Sequence, residues 1–341
     1  MSHGNCLYAC VLIAVVGPQL DHARAAEEDS KQKKNLVALT WTDPDRAATE
    51  DPDFSFQGEY GVDATGAKWG VQVIALGGGS FEAYVLEGGL PGLGWTPDKS
   101  RRRLSGARMD EIVRLTDDAK QLTAVIQDRR LAVYDGAELV ARLPRIERRS
   151  PTLGAKPPAG AVVLFDGSSV DAWGKGVMEN GLLLNTDVAT EEFFHDYTLH
   201  LEFRTPYKPY ARGQQRGNSG VYHQGRYETQ VLDSFGLKGL MNETGGIYSI
   251  AAPTLNMCFP PLTWQTYDIE FTSAKFDAAG KLTQPARITV TLNGVVVHQD
   301  QELPQTTAAA PVKDITPEPG PLFIQHHNNT IHYRNIWIIP K

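Results

Sequence analysis

The sequence predicts an all-β protein, a two-sheet β-sandwich over residues 161–341 preceded by a small β-rich domain over 35–148. Three observations carry that prediction. Apolar and polar residues alternate in short runs: in YTLHLEFRT, Tyr197, Leu199, Leu201 and Phe203 fall on one face and His200, Glu202 and Arg204 on the other. Turn chemistry separates the runs, most clearly Asn293 and Gly294 between two β-branched stretches. Helical periodicity is nearly absent, which leaves sheet packed on sheet as the way to bury the apolar faces.

Composition narrows the classes. The chain of 341 residues is 41% hydrophobic and 21% charged, a balance that excludes disorder and leaves ample core. Lys and Arg number 33 against 40 Asp and Glu, a net charge of −7 that argues against a nucleic-acid partner. Residues 1–26 read as an export signal. The apolar run Leu7 to Val16 is too short to span a bilayer, and Ala23, Arg24 and Ala25 form a small-x-small cleavage site. Cleavage would remove Cys6 and Cys10, leaving Cys258 without a disulfide partner; no other stretch is long and apolar enough to cross a membrane. A periplasmic or secreted location is the expectation.

After a polar tether, WGVQVIAL, SFEAYVL, EIVRL, QLTAVI and RLAVYDGAELVARL read as short strands, with a hairpin at Asp135 and Gly136. The Arg101 to Arg103 run between them reads as a solvated loop, and the glycine-rich GGLPGLGW, Gly88 to Trp95, as turns. Residues 149–160, RSPTLGAKPPAG, read as a linker. In the second unit AVVLFDG and GLLLN open the sandwich. WQTYDIEF repeats the alternation with Tyr267, Ile269 and Phe271 on the apolar side, and HYRNIWII closes the chain.

The chemistry concentrates in RGQQRGNSGVYHQGRYETQVLD, Arg212–Asp233, a hairpin split by Gln224 and Gly225. Alternation points Glu228 and Gln230 the same way, and Asp233 joins them only through a bulge. The expectation is that these three converge at the floor of an open trough wide enough for a hexose. Around them, Arg212, Arg216 and Arg226 offer forked donors, and Asn218, Tyr222 and His223 further polar contacts. Tyr248 and Trp264 are candidates to stack on a sugar, and Asn256, Asp268, Arg334 and Asn335 to line a cleft. Arg334 and Asn335 alternate, so one of them faces it. His326 or His327, with His223, Glu228 and Asp233, are candidate ligands for a divalent cation, although no helical His-x-x-x-His spacing exists.

Seven segments, SPTLGAKPPAGAVVLFDG, DYTLHLEFRTP, RGNSGVYHQGRYETQVLDSFG, GGIYSIAAP, PPLTWQTYDIEF, PARITVTLNGVVVH and GPLFIQHHNNTIHYRNIWI, resemble the 3-keto-disaccharide hydrolase domain family. The resemblance implies a concanavalin-like jelly roll, related in architecture to family 16 glycoside hydrolases, with the sugar lying across the concave sheet. It implies cleavage of 3-keto-glucosides, by elimination and rehydration or by hydrolysis, and favours His327 over His326. Glu228, Gln230 and Asp233 look like a modified form of the Glu-x-Asp-x-x-Glu strand of those hydrolases. A retaining mechanism needs two carboxyl groups about 5 to 5.5 Å apart, which Gln230 cannot supply and the shorter Asp233 puts in question. A 3-keto group needs less, since it acidifies the C2 hydrogen and one general base then suffices, Glu228 or Asp233. Arg226, Arg216, His223 or a cation would hold the enolate. A non-catalytic glycan-binding module on the same fold is the alternative.

Overall fold

A computed structural model describes residues 1, 36 and 38–341; the export-signal segment and the polar tether lie outside the described residues, Met1 excepted. Among the described residues no helix is long and apolar enough to cross a membrane.

The first unit is a closed antiparallel barrel. Its strands are β1 (Gly58–Tyr60), β2 (Trp69–Gly77), β3 (Ser80–Glu87), β4 (Arg101–Met109), β5 (Ile112–Thr116), β6 (Leu122–Gln127), β7 (Arg130–Asp135) and β8 (Glu138–Ile146). Each pairs with the next, and β1 also pairs with β8, which leaves no free edge. Alternate residues such as Val71, Val73, Phe81, Leu104, Leu115 and Ile126 fill the interior, so the barrel encloses a core and not a channel. The Arg101 to Arg103 run is strand β4 and not a loop. Arg103 lies on the outer face against Glu82, Arg102, in register with the core residue Val85, pairs with Asp117, and the Arg101 guanidinium covers the Tyr84 ring at 3.3 Å. Each positive charge thus has a partner, which is why three successive arginines extend.

The second unit is the sandwich. One sheet runs β10 (Met178–Glu179), β11 (Leu182–Leu184), β22 (His332–Pro340), β13 (Tyr197–Arg204), β16 (Gln265–Thr272), β19 (Ala286–Leu292) and β20 (Val295–Leu303), with β9 (Val162–Phe165) also on β22. The other runs β12 (Val188–Phe194), β21 (Gly320–Ile324), β14 (Ser219–His223) and β15 (Tyr227–Val231). A small ribbon, β17 (Lys275–Phe276) with β18 (Leu282–Gln284), stands apart. The alternation read in β13 and β16 holds: Leu199, Leu201, Phe203, Tyr267, Ile269 and Phe271 face the core between the sheets, against Val221, Val231 and Ile324. Asn293 and Gly294 turn at φ 51° and 82°, as do Gln224 and Gly225 at 52° and 65°, the left-handed pair that a two-residue hairpin needs.

Residues 149–160 are strapped down, not free. Ser150 and Thr152 bond the Thr266 hydroxyl at 2.6 and 3.0 Å, Thr152 donates to Asp268 at 2.6 Å, and the Gly154 amide donates to Glu202 at 2.5 Å. The barrel meets the sandwich along a second seam. Arg101 donates to the Gly236 carbonyl at 2.5 Å, Ile74 packs with Phe235 and Cys258, and Trp41 and Tyr207 exchange backbone hydrogen bonds of 3.0 and 2.9 Å.

Candidate active site

Alternation along the β14–β15 hairpin sorts its residues onto two faces. Val221, His223, Tyr227 and Val231 turn inward; Gly220, Tyr222, Glu228 and Gln230 turn outward. The registered pairs are Tyr222 with Glu228 and Gly220 with Gln230. Residues 245–248 add to the edge of β15. The Gly245 amide donates to Gln230 at 3.2 Å, Gln230 to Gly246 at 2.9 Å, and Tyr248 to Glu228 at 3.1 Å. Ile247 turns into the core opposite Thr229, so Gly246 and Tyr248 turn outward beside Gln230 and Glu228. On the other flank β21 brings Phe323 against Tyr222, ring centroids 5.5 Å apart, and Gln325 follows that strand.

Glu228 is the centre of this face. Its Oε2 accepts from the Tyr222 hydroxyl at 2.8 Å, which in turn accepts from Gln325 Nε2 at 3.0 Å. Its carboxyl lies over Gly220: a Cβ there would come within 2.8 Å of Cδ and Cγ of Glu228, and closer to Oε1. Only glycine leaves that space open. Glu228 is 2% exposed and has no cationic partner among the described residues, so burial pushes its pKa up to about 7, the Tyr222 hydrogen bond pulling the other way. Gln230 donates to Gln214 at 3.3 Å, and Gln214 accepts from Asn218 at 3.0 Å and donates to the Asn242 carbonyl at 2.9 Å. Gly220→Ala is therefore expected to displace the Glu228 carboxyl, costing about 1–3 kcal/mol of stability as overpacking does, with loss of the pKa near 7 by carboxyl-resolved NMR as the check.

Several expected site residues lie elsewhere. The β14–β15 ladder is regular but ends at Val231, and Asp233 lies beyond it, turned to Arg216 and not to Glu228. It forms a buried ion pair with Arg216, Nε to Oδ2 2.6 Å, at the base of the Arg212–Asp233 loop. The three side chains therefore do not converge in an open trough; Glu228 and Gln230 share a face on which both are nearly covered. His223 belongs to the core, where it stacks on Phe271 at 5.4 Å, bonds Tyr197 Oη at 2.8 Å and Thr229 Oγ1 at 3.0 Å, and burial pushes its pKa down to about 3. A neutral imidazole there can neither hold an enolate nor reach a metal with Glu228.

The arginines are structural in the same sense. Arg212 donates to the carbonyls of Ala211 at 2.6 Å and Leu76 at 3.1 Å, tying the loop to the barrel. Arg226 donates to Asp314 O at 2.8 Å, Thr316 Oγ1 at 2.8 Å and Gln224 Oε1 at 3.0 Å, which holds the segment before β21. Asn256 bonds Ser234 O at 2.8 Å and the Cys258 amide at 3.0 Å inside its own loop.

Trp264 and Arg334 lie on the far side of the other sheet, with the Arg334 guanidinium 3.9 Å over the indole, so that ring offers no open platform to a sugar stacked at Glu228. Arg334 Nε and Asn335 Nδ2 both reach Glu202, at 2.6 and 2.9 Å. Alternation fails there because the β13–β22 register shifts between His200 and Glu202 and Asn335 takes a φ of 45°. Asp268 is not merely solvated: it pairs with His200 at 2.6 Å under the strap. His327 is exposed beyond β21, whereas His326 is tied to Asn185 O at 2.8 Å and, through its amide, to Asp187 at 2.7 Å. Among the described residues no three His, Cys, Asp or Glu side chains come together as a metal site.

Gln214 and Gln325 were not singled out as site residues from sequence, and Gly220 only within the Gly217 to Gly220 run that allows a close backbone approach. The signal for Gly220 was present, since it stands in register with Gln230 once the Gln224–Gly225 turn is placed.

A family model described as a 3-keto-alpha-glucoside-1,2-lyase-like domain matches residues 160–339. Among solved structures the chain is similar to a "putative glycosyl hydrolase" from Parabacteroides distasonis ATCC 8503, at 32% identity and a TM-score of 0.50, over 54% of this chain and 85% of that one. A second protein of the same description and organism shares 18% identity at a TM-score of 0.41, over 53% of this chain and 94% of its own. No curated protein matches. The barrel lies outside the matched family region.

Proposed function

Because the chain belongs to the 3-keto-alpha-glucoside-1,2-lyase-like domain family, we propose that it cleaves the glycosidic bond of 3-keto-glucosides, with Glu228 as the general base of a β-elimination. The observation that carries this reading is a carboxyl, without a cationic partner among the described residues, whose pKa lies near 7 on a face otherwise built of Tyr222, Gln230, Tyr248, Phe323 and Gln325. A base is most effective when its pKa is near the working pH. Asp233, the carboxyl just beyond the strand, is committed to Arg216, which favours a one-base reaction over double displacement.

In the step itself Glu228 takes the proton from C2. The electron pair left behind forms the enolate of the C3 ketone, then returns to make the C1–C2 double bond as the C1–O bond breaks, and the proton held by Glu228 passes to the oxygen with which the aglycone leaves. Water adds to the resulting glucal in a second step, hydroxyl to C1 and proton to C2. Tyr248, half-buried and bonded through its backbone amide to Glu228 O, carries a phenol not bonded to that carboxyl, and in this reading it donates to the ketone oxygen. The leader-like segment 1–26 supports placing the activity outside the cytoplasm.

Incubation with a 3-keto-disaccharide, followed by NMR, is expected to show sugar release. No release above unreacted controls, with or without divalent cations, overturns the proposal. In deuterium oxide, elimination and rehydration place deuterium at C2 of the product, whereas direct hydrolysis leaves the proton there. Glycan binding without turnover would mark a binding module instead, a reading favoured by the near-complete cover of Glu228.

A further inference from the structure

Three side chains stand in line at the Glu228 carboxyl. Gln325 Nε2 donates to Tyr222 Oη at 3.0 Å, and Tyr222 Oη donates to Glu228 Oε2 at 2.8 Å. The direction of the second bond is forced by the first. A phenol has one proton to give, and an amide nitrogen only donates. With Gln325 already on its oxygen, the fully buried Tyr222 has the carboxyl as its acceptor.

The two oxygens of Glu228 are thereby made different. A proton placed on Oε2 would leave the phenolic proton facing another proton, with Gln325 unable to accept it. Oε1 lies over Gly220, accepts from no described residue, and is not sealed away as the orphaned oxygen of Asn218 is. Oε1 can therefore gain and lose a proton without disturbing the chain.

We propose that Gln325 is a positioning residue for the base: its amide directs the single proton of Tyr222 onto Glu228 Oε2, which makes Oε1 the oxygen that takes the C2 proton and passes it to the leaving group. The inference rests on the reading of Glu228 as the general base, and in it Gln325 acts only through Tyr222. A donated hydrogen bond favours the charged carboxylate, so the chain keeps the base ionised at a lower pH than burial alone would allow.

The other groups facing this chain come from several elements. Burial, then Glu228, then Tyr248 and Asp187 make the Tyr222 phenol harder to ionise. From the core side Tyr267 and Tyr333, raised chiefly by burial, also feel Glu228, so these three phenols keep their protons where Glu228 titrates. Thr307 accepts from the Glu228 amide at 3.2 Å and carries no charge. Asp187 accepts from the His326 amide at 2.7 Å, and His327 follows. All of these are present in every variant below, so their contributions cancel in the comparison.

Gln325→Met removes the donor while keeping the backbone bonds of residue 325, its amide to Gly220 O at 2.9 Å among them. The expected result is that the rising limb of kcat/KM against pH moves up by about one pH unit, a roughly tenfold loss below the limb that shrinks as pH rises. Tyr222→Phe removes the proton itself and is expected to move the limb at least as far. Adding Gln325→Met to Tyr222→Phe is then expected to move nothing more. Carboxyl-resolved NMR of Glu228 in the same four proteins follows its titration without substrate. A limb and titration unmoved in Gln325→Met overturn the proposal, and so does a downward move, which would mean that the amide accepts from Tyr222. A shift that persists in full on the Tyr222→Phe background overturns it as well, since Gln325 would then act on Glu228 directly. If the titration shifts as expected but the parent turns over no 3-keto-glucoside, the hydrogen-bond chain stands while the catalytic reading, and with it the assignment of Oε1, falls.

Discussion

Glu228→Gln is expected to abolish turnover, by roughly a hundred- to ten-thousand-fold in kcat as for loss of a general base, while leaving the fold intact. Glutamine keeps the shape of the side chain, its carbonyl can still accept from Tyr222, and the space over Gly220 stays filled. In the parent, kcat/KM is expected to rise with pH through about 7, since the carboxyl must be ionised to take a proton. The linkage sign gives a second readout. A folded-state pKa of about 7 against about 4.3 in the unfolded chain means that the native state binds the proton more tightly. The stability contributed by this group is full below the unfolded value and is lost as pH rises through about 7. Glutamine does not titrate, so the variant should gain on the parent as pH rises from 5 to 8, by on the order of 3 kcal/mol. Denaturant unfolding at both pH values checks this. An inactive variant that is also more stable than its parent at pH 8 cannot owe its inactivity to misfolding. A variant that keeps full activity removes Glu228 from the mechanism.

The strands were legible because each carries its own signal. Alternation in β13 and β16, and the left-handed turns at Asn293–Gly294 and Gln224–Gly225, are local properties of a few residues. Closure of the barrel was not legible, since it depends on β1 finding β8, Glu59 beside Ile146, across a long stretch of chain. The Arg101 to Arg103 strand was hidden for a related reason: its charges are matched by Glu82 and Asp117 on neighbouring strands, which no local window contains. At the site, alternation placed Glu228 and Gln230 together, and the same rule already put His223 on the opposite side from Tyr222. Exceptions to alternation were what failed. A bulge was expected to bring Asp233 into line, but the regular ladder ends at Val231 before reaching it, and none was expected at Asn335, where the register shifts. Bulges respond to what the neighbouring strand and the strap require, and those partners are far away in sequence.

Asp233→Ala is expected to cost about 3–5 kcal/mol, because it strands the Arg216 guanidinium in the protein interior. The side chain of Arg216 is 7% exposed, and its Nη2 already lacks a hydrogen-bond partner, so no second acceptor stands ready to take the charge. The loss should appear as a lower denaturant midpoint at nearly constant m-value. The pair also closes the loop carrying Gln214, backbone as well as side chain: the Asp233 amide donates to Arg216 O at 3.0 Å. Single-site inactivation is therefore ambiguous, and a double variant resolves it. Arg216→Met with Asp233→Leu removes both charges and refills the space with apolar volume, a replacement that is often neutral or stabilising for buried ion pairs. If the pair is architectural, the double variant regains most of the stability and, with Gln214 again seated against Gln230, most of the turnover. If Asp233 instead takes part in the chemistry alongside Glu228, the double variant will be stable and inactive, and the one-base elimination has to give way to a mechanism using both carboxyls.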